Sequence, residues 1–241
     1  MNLIIDIGNT RSKIAVFDNK TLLQKIITDN DNIYKTIIKF QKKYAINHCI
    51  ISSVSNYDTS AIKKINTLSK VIELDHKTRV PIFNKYNTPE TLGVDRIALA
   101  CAAVDQYPNH NVLIIDAGTC ITFDLVNTKN EYLGGAISPG IGIRYKSLHK
   151  FTANLPLLDL NKFKLIGSDT VSSIHSGVLN GILNEIDGVI NQYITKFQTL
   201  TVVLTGGDIN FLSKNLKSTI FANPNFLLEG LNSILIHNLD E

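Results

Sequence analysis

The segment LIIDIG at residues 3–8 returns almost unchanged as LIIDAG at residues 113–118, and this repeat determines the fold prediction. In each copy an apolar run typical of a buried strand ends in Asp-x-Gly. A second apolar run follows each copy after a short polar turn, at residues 14–17 and at residues 121–126. Each copy therefore predicts the first two strands of a β-hairpin.

A later pair of strings supports an internal duplication. IISSVS at residues 50–55 and VVLTGG at residues 202–207 are both β-branched runs that end in small residues. The first repeat has an offset of 110 residues, and twice that offset nearly fills the 241-residue chain. We therefore expect two related halves, residues 1–110 and residues 111–241.

Strand and helix periodicities alternate along the chain, and this alternation predicts an α/β architecture. We expect strands at 2–7, 12–18, 21–27, 47–53, 71–74, 111–116, 120–126, 130–137, 200–205 and near 219, and helices at 31–43, 58–69, 94–106, from 141, 169–197, from 208 and 226–238.

Composition excludes several classes of function. The 24 basic residues outnumber the 21 acidic ones by only three, and the lysines are dispersed along the chain, which does not favour nucleic-acid binding. No apolar run reaches the roughly 20 residues of a membrane span, and MNLIIDIGN does not resemble a secretory signal. Three widely spaced cysteines set in apolar runs predict buried free thiols. We expect a cytoplasmic protein that binds neither nucleic acid nor a membrane.

The first Asp-x-Gly turn combines a carboxylate, a glycine and polar residues: Asp6, Gly8, Asn9 and Thr10. Backbone N–H groups in such a turn can hold phosphate oxygens, whereas a carboxylate repels them. Asp6 is therefore expected to hold Mg²⁺ against the phosphates, with Lys13 completing the charge balance. An ordinary hairpin turn uses the same residue types and is the alternative.

The second turn, Asp116-x-Gly118-Thr119, favours phosphate binding, because two such turns in a duplicated fold form a two-sided clamp. TGGD at residues 205–208 places two glycines between a strand and a helix, where a base or ribose can approach the backbone. A tight strand-to-helix connection is the alternative for that segment. Neither GxxxxGK[ST] nor GxGxxG occurs, so a P-loop or Rossmann site is not indicated.

The pair Asp95-Arg96 begins a helix whose next turns are almost wholly apolar. Charges in such a helix need a partner or a ligand, because a buried unpaired charge is costly. Asp95 is a candidate base beside a substrate hydroxyl, and Arg96 is a candidate fork for a carboxylate. The alternative is that Asp95 only starts the helix and Arg96 is solvated.

Taken together, these motifs resemble the type III pantothenate kinase family in order and spacing over nearly the whole chain: DIGNTRSK at 6–13, LGVDR at 92–96, DAGTCITFD at 116–124, GGAISPG at 134–140 and TGGD at 205–208. The resemblance implies two duplicated ribonuclease-H-like, actin-like ATPase halves with the active site in the cleft between them. It also implies ATP-dependent phosphorylation of pantothenate to 4′-phosphopantothenate, the first step of coenzyme A biosynthesis, by a homodimer.

The resemblance also implies roles for individual residues. The family's ATP-binding segment falls on Asp6, Gly8, Asn9, Thr10 and Lys13, with Thr119 as a further ATP contact. Asp116 matches the ligand of a monovalent cation, K⁺ or NH₄⁺. We expect Mg²⁺ on the Asp6 side and the monovalent cation at Asp116, in a softer cage of carboxylate and carbonyl oxygens.

The substrate-binding residues implied by the resemblance are Tyr86, Gly93, Val94, Asp95, Arg96 and Thr170. Asp95 matches the proton acceptor, and Arg96 is expected to hold the pantothenate carboxylate, with help from Thr170 of the partner subunit. Ile97 departs from the family, in which many members have Trp at this place. Two alternatives remain open: a kinase of the same superfamily for a sugar or acetate-like acceptor, and an ATP-binding accessory protein.

Overall fold

The computed structural model describes residues 1–8, 11–54, 68 and 70–239. Asn9 and Thr10 lie outside the described residues, as does nearly all of the helix predicted at 58–69. Within the described part, no helix is both long and apolar enough to cross a membrane.

The described residues form strands and helices close to the predicted ones. The strands are β1 (Asn2–Ile7), β2 (Ser12–Asp18), β3 (Thr21–Thr28), β4 (His48–Ser53), β5 (Lys70–Glu73), β6 (Phe83–Asn84), β7 (Val112–Ala117), β8 (Cys120–Val126), β9 (Glu131–Pro139), β10 (Thr201–Thr205) and β11 (Phe221–Ala222). The helices are α1 (Ile33–Lys43), α2 (Val94–Gln106), α3 (Ile141–Lys150), α4 (Thr170–Phe197), α5 (Ile209–Asn215) and α6 (Phe226–His237).

The chain groups into two compact units. The first comprises Met1–Pro108, Lys129–Tyr132 and Asn225–Glu241, and the second comprises Asn109–Thr128 and Leu133–Pro224. The boundary between residues 110 and 111 that the repeat suggests stays a prediction.

The first unit contains a five-stranded sheet in the order β3-β2-β1-β4-β5. β1 is its centre, antiparallel to β2 and parallel to β4. Alternate residues of β1, among them Leu3 and Ile5, pack with Ile37 and Phe40 of α1 in one buried cluster. The other face of β1 carries Asp6, because successive side chains of a strand point to opposite faces.

Helix α6 packs against α2 within the first unit. Gly230 of α6 lies so close to the Ala98 carbonyl oxygen that a Cβ atom at residue 230 would overlap it. Four of the eight residues from Ile97 to Val104 are alanine, and these small side chains allow the close approach. This packing fixes α2, whose first turn carries Asp95.

The second unit repeats the strand order of the first. Its strands follow the order β9-β8-β7-β10-β11, in which β7 is antiparallel to β8 and parallel to β10. β7 and β10 therefore occupy the places of β1 and β4, in agreement with the two pairs of repeated strings. The α/β fold class is confirmed.

The predicted burial of the three thiols holds for two of them. Cys49 and Cys101 are buried, whereas Cys120 is exposed because it follows directly on the Gly118-Thr119 turn at the start of β8. All three are free cysteines.

Candidate active site

Asp6 lies at the end of β1 and is 6% exposed. Lys13 is its in-register neighbour on β2, so the two side chains share a face of the sheet, with Lys13 Nζ 3.6 Å from Asp6 Oδ2. The antiparallel pairing thus places the Lys13 ammonium beside the Asp6 carboxylate, whereas their predicted roles at an ATP site stay a prediction.

Burial raises the pKa of Asp6 from 3.8 to about 6. The positive charge of Lys13 opposes this rise, and the negative charge of Asp95 adds to it. Asp6 and Asp95 therefore lie near enough to repel each other, although 89 positions separate them in the chain. Such a carboxylate is well suited to binding a cation. A bound positive charge would offset the cost of burying the ionised Asp6 carboxylate and its repulsion by Asp95.

The turn after Asp6 is narrow at Gly8. Gly8 N–H donates to the Arg11 carbonyl oxygen at 3.2 Å, and a Cβ atom at residue 8 would stand 2.8 Å from that oxygen. Asn30 supports the turn from outside: its side-chain N–H donates to the Gly8 carbonyl at 3.3 Å, and it accepts from Ser12 Oγ at 2.7 Å. Sequence reasoning missed Asn30, which carries no motif.

Asp95 is in the first turn of α2 and is half-buried. Its Oδ1 accepts a hydrogen bond from the Arg96 backbone N–H at 2.8 Å, so it satisfies one of the N–H groups that every helix leaves unpaired at its start. A Cβ atom at Gly93 would be 2.5 Å from the same Oδ1. Glycine at this place therefore leaves room for the carboxylate, while Val94 begins the helix.

Arg96 is 6% exposed, so the alternative of a solvated arginine is wrong. Its guanidinium carbon lies 5.7 Å from the ring centre of Tyr86 and 6.0 Å from that of Tyr132. The two rings are 6.2 Å apart. Aromatic faces attract the guanidinium cation and orient its plane. Sequence reasoning missed Tyr132, a single aromatic residue in a strand.

Asp116 holds in β7 the place that Asp6 holds in β1, but its neighbours differ. Its in-register partners are Thr122 on β8 and Thr205 on β10. A neutral hydroxyl thus stands where the first unit has Lys13. The second carboxylate consequently lacks the lysine partner that the first one has at this register position.

Backbone groups crowd around Asp116. Three carbonyl oxygens of the following turn accept hydrogen bonds: Ala117 from Asp208 N–H at 3.0 Å, Thr119 from Gly140 N–H at 3.1 Å, and Cys120 from Gly118 N–H at 2.9 Å. Gly206 has φ +100°, and a Cβ atom there would stand 2.5 Å from Asp116 Oδ1. Gly206 thus allows backbone to pack beside this carboxylate, and Gly140 allows close packing against the carbonyl oxygens of Gly118 and Thr119.

Thr170 begins α4, directly after the Asp169 N-cap, which accepts from Ser172 N–H at 2.8 Å. Thr170 is exposed and borders a cavity of about 720 Å³ in the second unit, together with Arg144 and Leu155. Arg144 is held at that border by Glu185 at 2.5 Å and by the Pro139 carbonyl at 2.8 Å.

Across the described residues, no three His, Cys, Asp or Glu side chains gather as a complete metal-binding group. A nucleotide-bound Mg²⁺ does not need such a group, since it commonly takes one or two carboxylates plus phosphate oxygens and water. The buried Asp6 fits that donor set.

The sequence is similar to those of known proteins over nearly its whole length. Residues 2–192 match the family model described as type III pantothenate kinase. The chain is 52% identical to a type III pantothenate kinase from Christiangramia forsetii, over 99% of both chains. It is 44% identical to one from Flavobacterium johnsoniae, covering 100% of this chain and 99% of the relative.

Solved structures agree on the fold. The activator of the 2-hydroxyisocaproyl-CoA dehydratase from Clostridium difficile, solved with bound ADPNP, matches with a TM-score of 0.56 and 12% identity, covering 99% of this chain and 94% of that one.

Proposed function

The chain belongs to the type III pantothenate kinase family, and on this premise we propose which of its residues carry out the transfer of phosphate from ATP to pantothenate. The reaction is the first step of coenzyme A biosynthesis. The observation that carries the residue assignment is the buried Asp6 carboxylate, which has Lys13 Nζ 3.6 Å away and whose pKa is raised further by the negative charge of Asp95.

We assign Asp95 as the group that accepts the proton of the pantothenate hydroxyl. A general base must lie within hydrogen-bond reach of the proton it takes and near the phosphate that is transferred. Its hydrogen bond from Arg96 N–H fixes the carboxylate on α2, and its charge acts on Asp6. The proposal is supported by the presence of Asp95, Asp6 and Lys13 in the same compact unit.

The nucleotide contacts are assigned to the segment from Asp6 to Lys13, and a further contact with ATP is assigned to Thr119. Mg²⁺, when bound, supplies positive charge that neutralises the transferring phosphoryl group. Asp6 would hold it, and Lys13 would contact phosphate oxygens with its ammonium group. Asn9 and Thr10, which lie outside the described residues, are proposed as further contacts with ATP.

Arg96 is assigned to the carboxylate of pantothenate. A guanidinium binds a carboxylate through two parallel hydrogen bonds, and the rings of Tyr86 and Tyr132 orient it. Gly93 and Val94 would line the chain of the substrate between this end and Asp95.

The monovalent cation is assigned to Asp116. Its in-register neighbours Thr122 and Thr205 are neutral residues, and threonine hydroxyls are compatible with an oxygen-lined cation site. Potassium and ammonium suit a cage of carboxylate and carbonyl oxygens. The turn Ala117–Cys120, which directly follows Asp116, offers backbone carbonyl oxygens for such a cage.

We also propose a homodimer, with Thr170 of the partner subunit contributing to the substrate site. Large apolar side chains are exposed in the second unit before and at the start of α4: Phe151, Leu165, Ile166 and Val171 at 80%, 78%, 81% and 44%. A contiguous exposed apolar patch is typical of an interface, and these side chains supply exposed apolar area for one. Sedimentation equilibrium should give twice the 26.7 kDa chain mass, and a monomer at micromolar concentration would contradict it.

Asp95→Asn tests the assignment of the base. Loss of a positioned base typically lowers kcat by about 10²- to 10⁴-fold. We expect that loss in a coupled assay of ADP release with pantothenate, together with unchanged ATP affinity and a melting temperature that is not lowered, since the variant removes a charge that disfavours ionised Asp6. Retention of near-normal kcat in the variant would refute the role. The same assay with pantetheine and common sugars tests the choice of acceptor, since turnover should require pantothenate or its close relatives.

A further inference from the structure

A serine hydroxyl lies beside Asp6 on the side opposite Lys13. Ser52 of β4 is the in-register neighbour of Asp6 of β1, and β4 is parallel to β1. Side chains of in-register neighbours point to the same face of a sheet, and adjacent strands are about 4.8 Å apart. The Asp6 carboxylate is therefore flanked by an ammonium group on β2 and a hydroxyl on β4.

The hydroxyl of Ser52 is wholly buried and has no hydrogen-bond partner among the described residues. Other buried hydroxyls of the first unit are satisfied: Thr36 Oγ1 donates to the Asn32 carbonyl at 2.9 Å, and Ser12 Oγ donates to Asn30 Oδ1 at 2.7 Å. Buried polar groups are nearly always paired, so an exception beside a functional carboxylate calls for a ligand or a water molecule.

The duplicated fold repeats this strand register. In the second unit, Thr205 of β10 is in register with Asp116, as Ser52 is with Asp6. Both Asp-x-Gly strands thus have a hydroxyl-bearing residue at the same place on the parallel neighbour. An apolar residue would satisfy the sheet equally well, because neighbouring positions of β4 are Ile50 and Ile51.

We propose that Ser52 is a positioning residue for Asp6: its hydroxyl holds a water molecule that also hydrogen-bonds the Asp6 carboxylate when the magnesium nucleotide is bound. A buried water needs two to four polar partners. Ser52 Oγ and the Asp6 carboxylate supply two, and a phosphate oxygen or the metal supplies the third. This inference rests on the proposed function, in which Asp6 is the carboxylate on the metal side.

The test is calorimetric binding of ATP with Mg²⁺ and with EDTA, which requires no turnover. In Ser52→Ala, the ATP affinity with Mg²⁺ should fall by about 5- to 10-fold, the effect of one hydrogen bond, whereas the affinity in EDTA should not change. Ser52→Thr should restore the affinity, since threonine holds the equivalent place at residue 205. The KM for pantothenate should stay the same.

The thermal midpoint of the free protein separates this role from a structural one. Removing an unsatisfied buried hydroxyl should leave the midpoint unchanged or raise it, whereas removing a hydroxyl that bonds within the fold would lower it. Cys49→Ala is the matched control, because it removes one buried side-chain atom from the other face of the same strand. It should leave ATP affinity unchanged under both conditions.

The possible outcomes divide clearly. Unchanged magnesium-dependent affinity in Ser52→Ala, an equal loss in EDTA, or the same loss in Cys49→Ala would each overturn the inference. Asp6→Asn distinguishes this failure from that of the proposed function. If Asp6→Asn keeps the magnesium dependence, the proposed function fails and this inference fails with it. If Asp6→Asn loses the magnesium dependence of ATP affinity but Ser52→Ala keeps the wild-type value, the proposed function stands and the role of Ser52 is refuted.

Discussion

The substitution Asp6→Asn should stabilise the free protein at neutral pH, because Asp6 carries a charge that the fold disfavours. Burial raises its pKa from 3.8 to about 6, and the charge of Asp95 adds to the effect. Above pH 6 the folded protein must hold an ionised carboxylate at this site. Each unit of pKa shift corresponds to about 1.4 kcal/mol, so the full cost is about 3 kcal/mol.

The sign of the pH dependence follows from the direction of the shift. Between the unfolded and the folded pKa, the folded state binds more protons than the unfolded state, so stability falls as pH rises through this range. Below pH 3.8 both states are protonated and the cost vanishes. The advantage of Asp6→Asn should therefore be about 3 kcal/mol at pH 7.5 and only about 1 kcal/mol at pH 4.5. Because the attraction of Lys13 already opposes the rise of the Asp6 pKa, the figure of about 3 kcal/mol includes the loss of that pair.

Urea unfolding in EDTA, without nucleotide, at several pH values between 4.5 and 7.5 measures this difference. Asp18→Asn is the control, since Asp18 is an exposed carboxylate at the end of β2. It should change the unfolding free energy by less than about 0.5 kcal/mol throughout. An Asp6→Asn advantage that does not vary with pH, or a wild type that is the more stable protein at pH 7.5, would refute the reasoning.

Three further predictions concern the substrate, the cation and the packing. Arg96→Lys should lower kcat/KM for pantothenate by about 10- to 150-fold, which is the effect of one charge-assisted contact. The loss should be far smaller for pantothenol, which lacks the carboxylate. Equal losses on both substrates would mean that Arg96 supports the fold and not the substrate. Wild-type activity should be higher in potassium than in sodium at constant ionic strength, and Asp116→Asn should abolish the difference; equal wild-type rates in both salts would contradict the cation site. Gly230→Ala should destabilise the protein by about 1–3 kcal/mol or more in urea unfolding, because its Cβ would overlap the Ala98 carbonyl oxygen. Gly188→Ala, where no atom lies within 4 Å of the added Cβ, is its control and should be neutral or stabilising by up to about 1 kcal/mol.

Much of the fold could be predicted from the sequence, because strands and helices depend on local periodicity. The repeat of Asp-x-Gly strands predicted the duplicated α/β fold, and the strand orders of the two units agree with it. The apolar helix after Asp95 was predicted at 94–106 and is found at Val94–Gln106. The glycine-rich motifs also carried enough information to indicate the family, because a backbone that must pack closely tolerates few other residues.

The neighbours of each candidate residue were decided by the tertiary structure. Lys13 is seven residues from Asp6, and its charge could be matched to Asp6 from the sequence alone. Ser52 and Asp95 come to Asp6 from 46 and 89 residues away, through parallel strand pairing and through the docking of α2. The Tyr132 ring likewise lies beside the Arg96 guanidinium only in the folded chain, because 36 residues separate the two in the sequence. A strand's sequence sets which residues share a face, but the register with a distant strand sets which side chains meet across it. The raised pKa of Asp6 has the same origin, since burial and long-range charge exist only once the chain is folded.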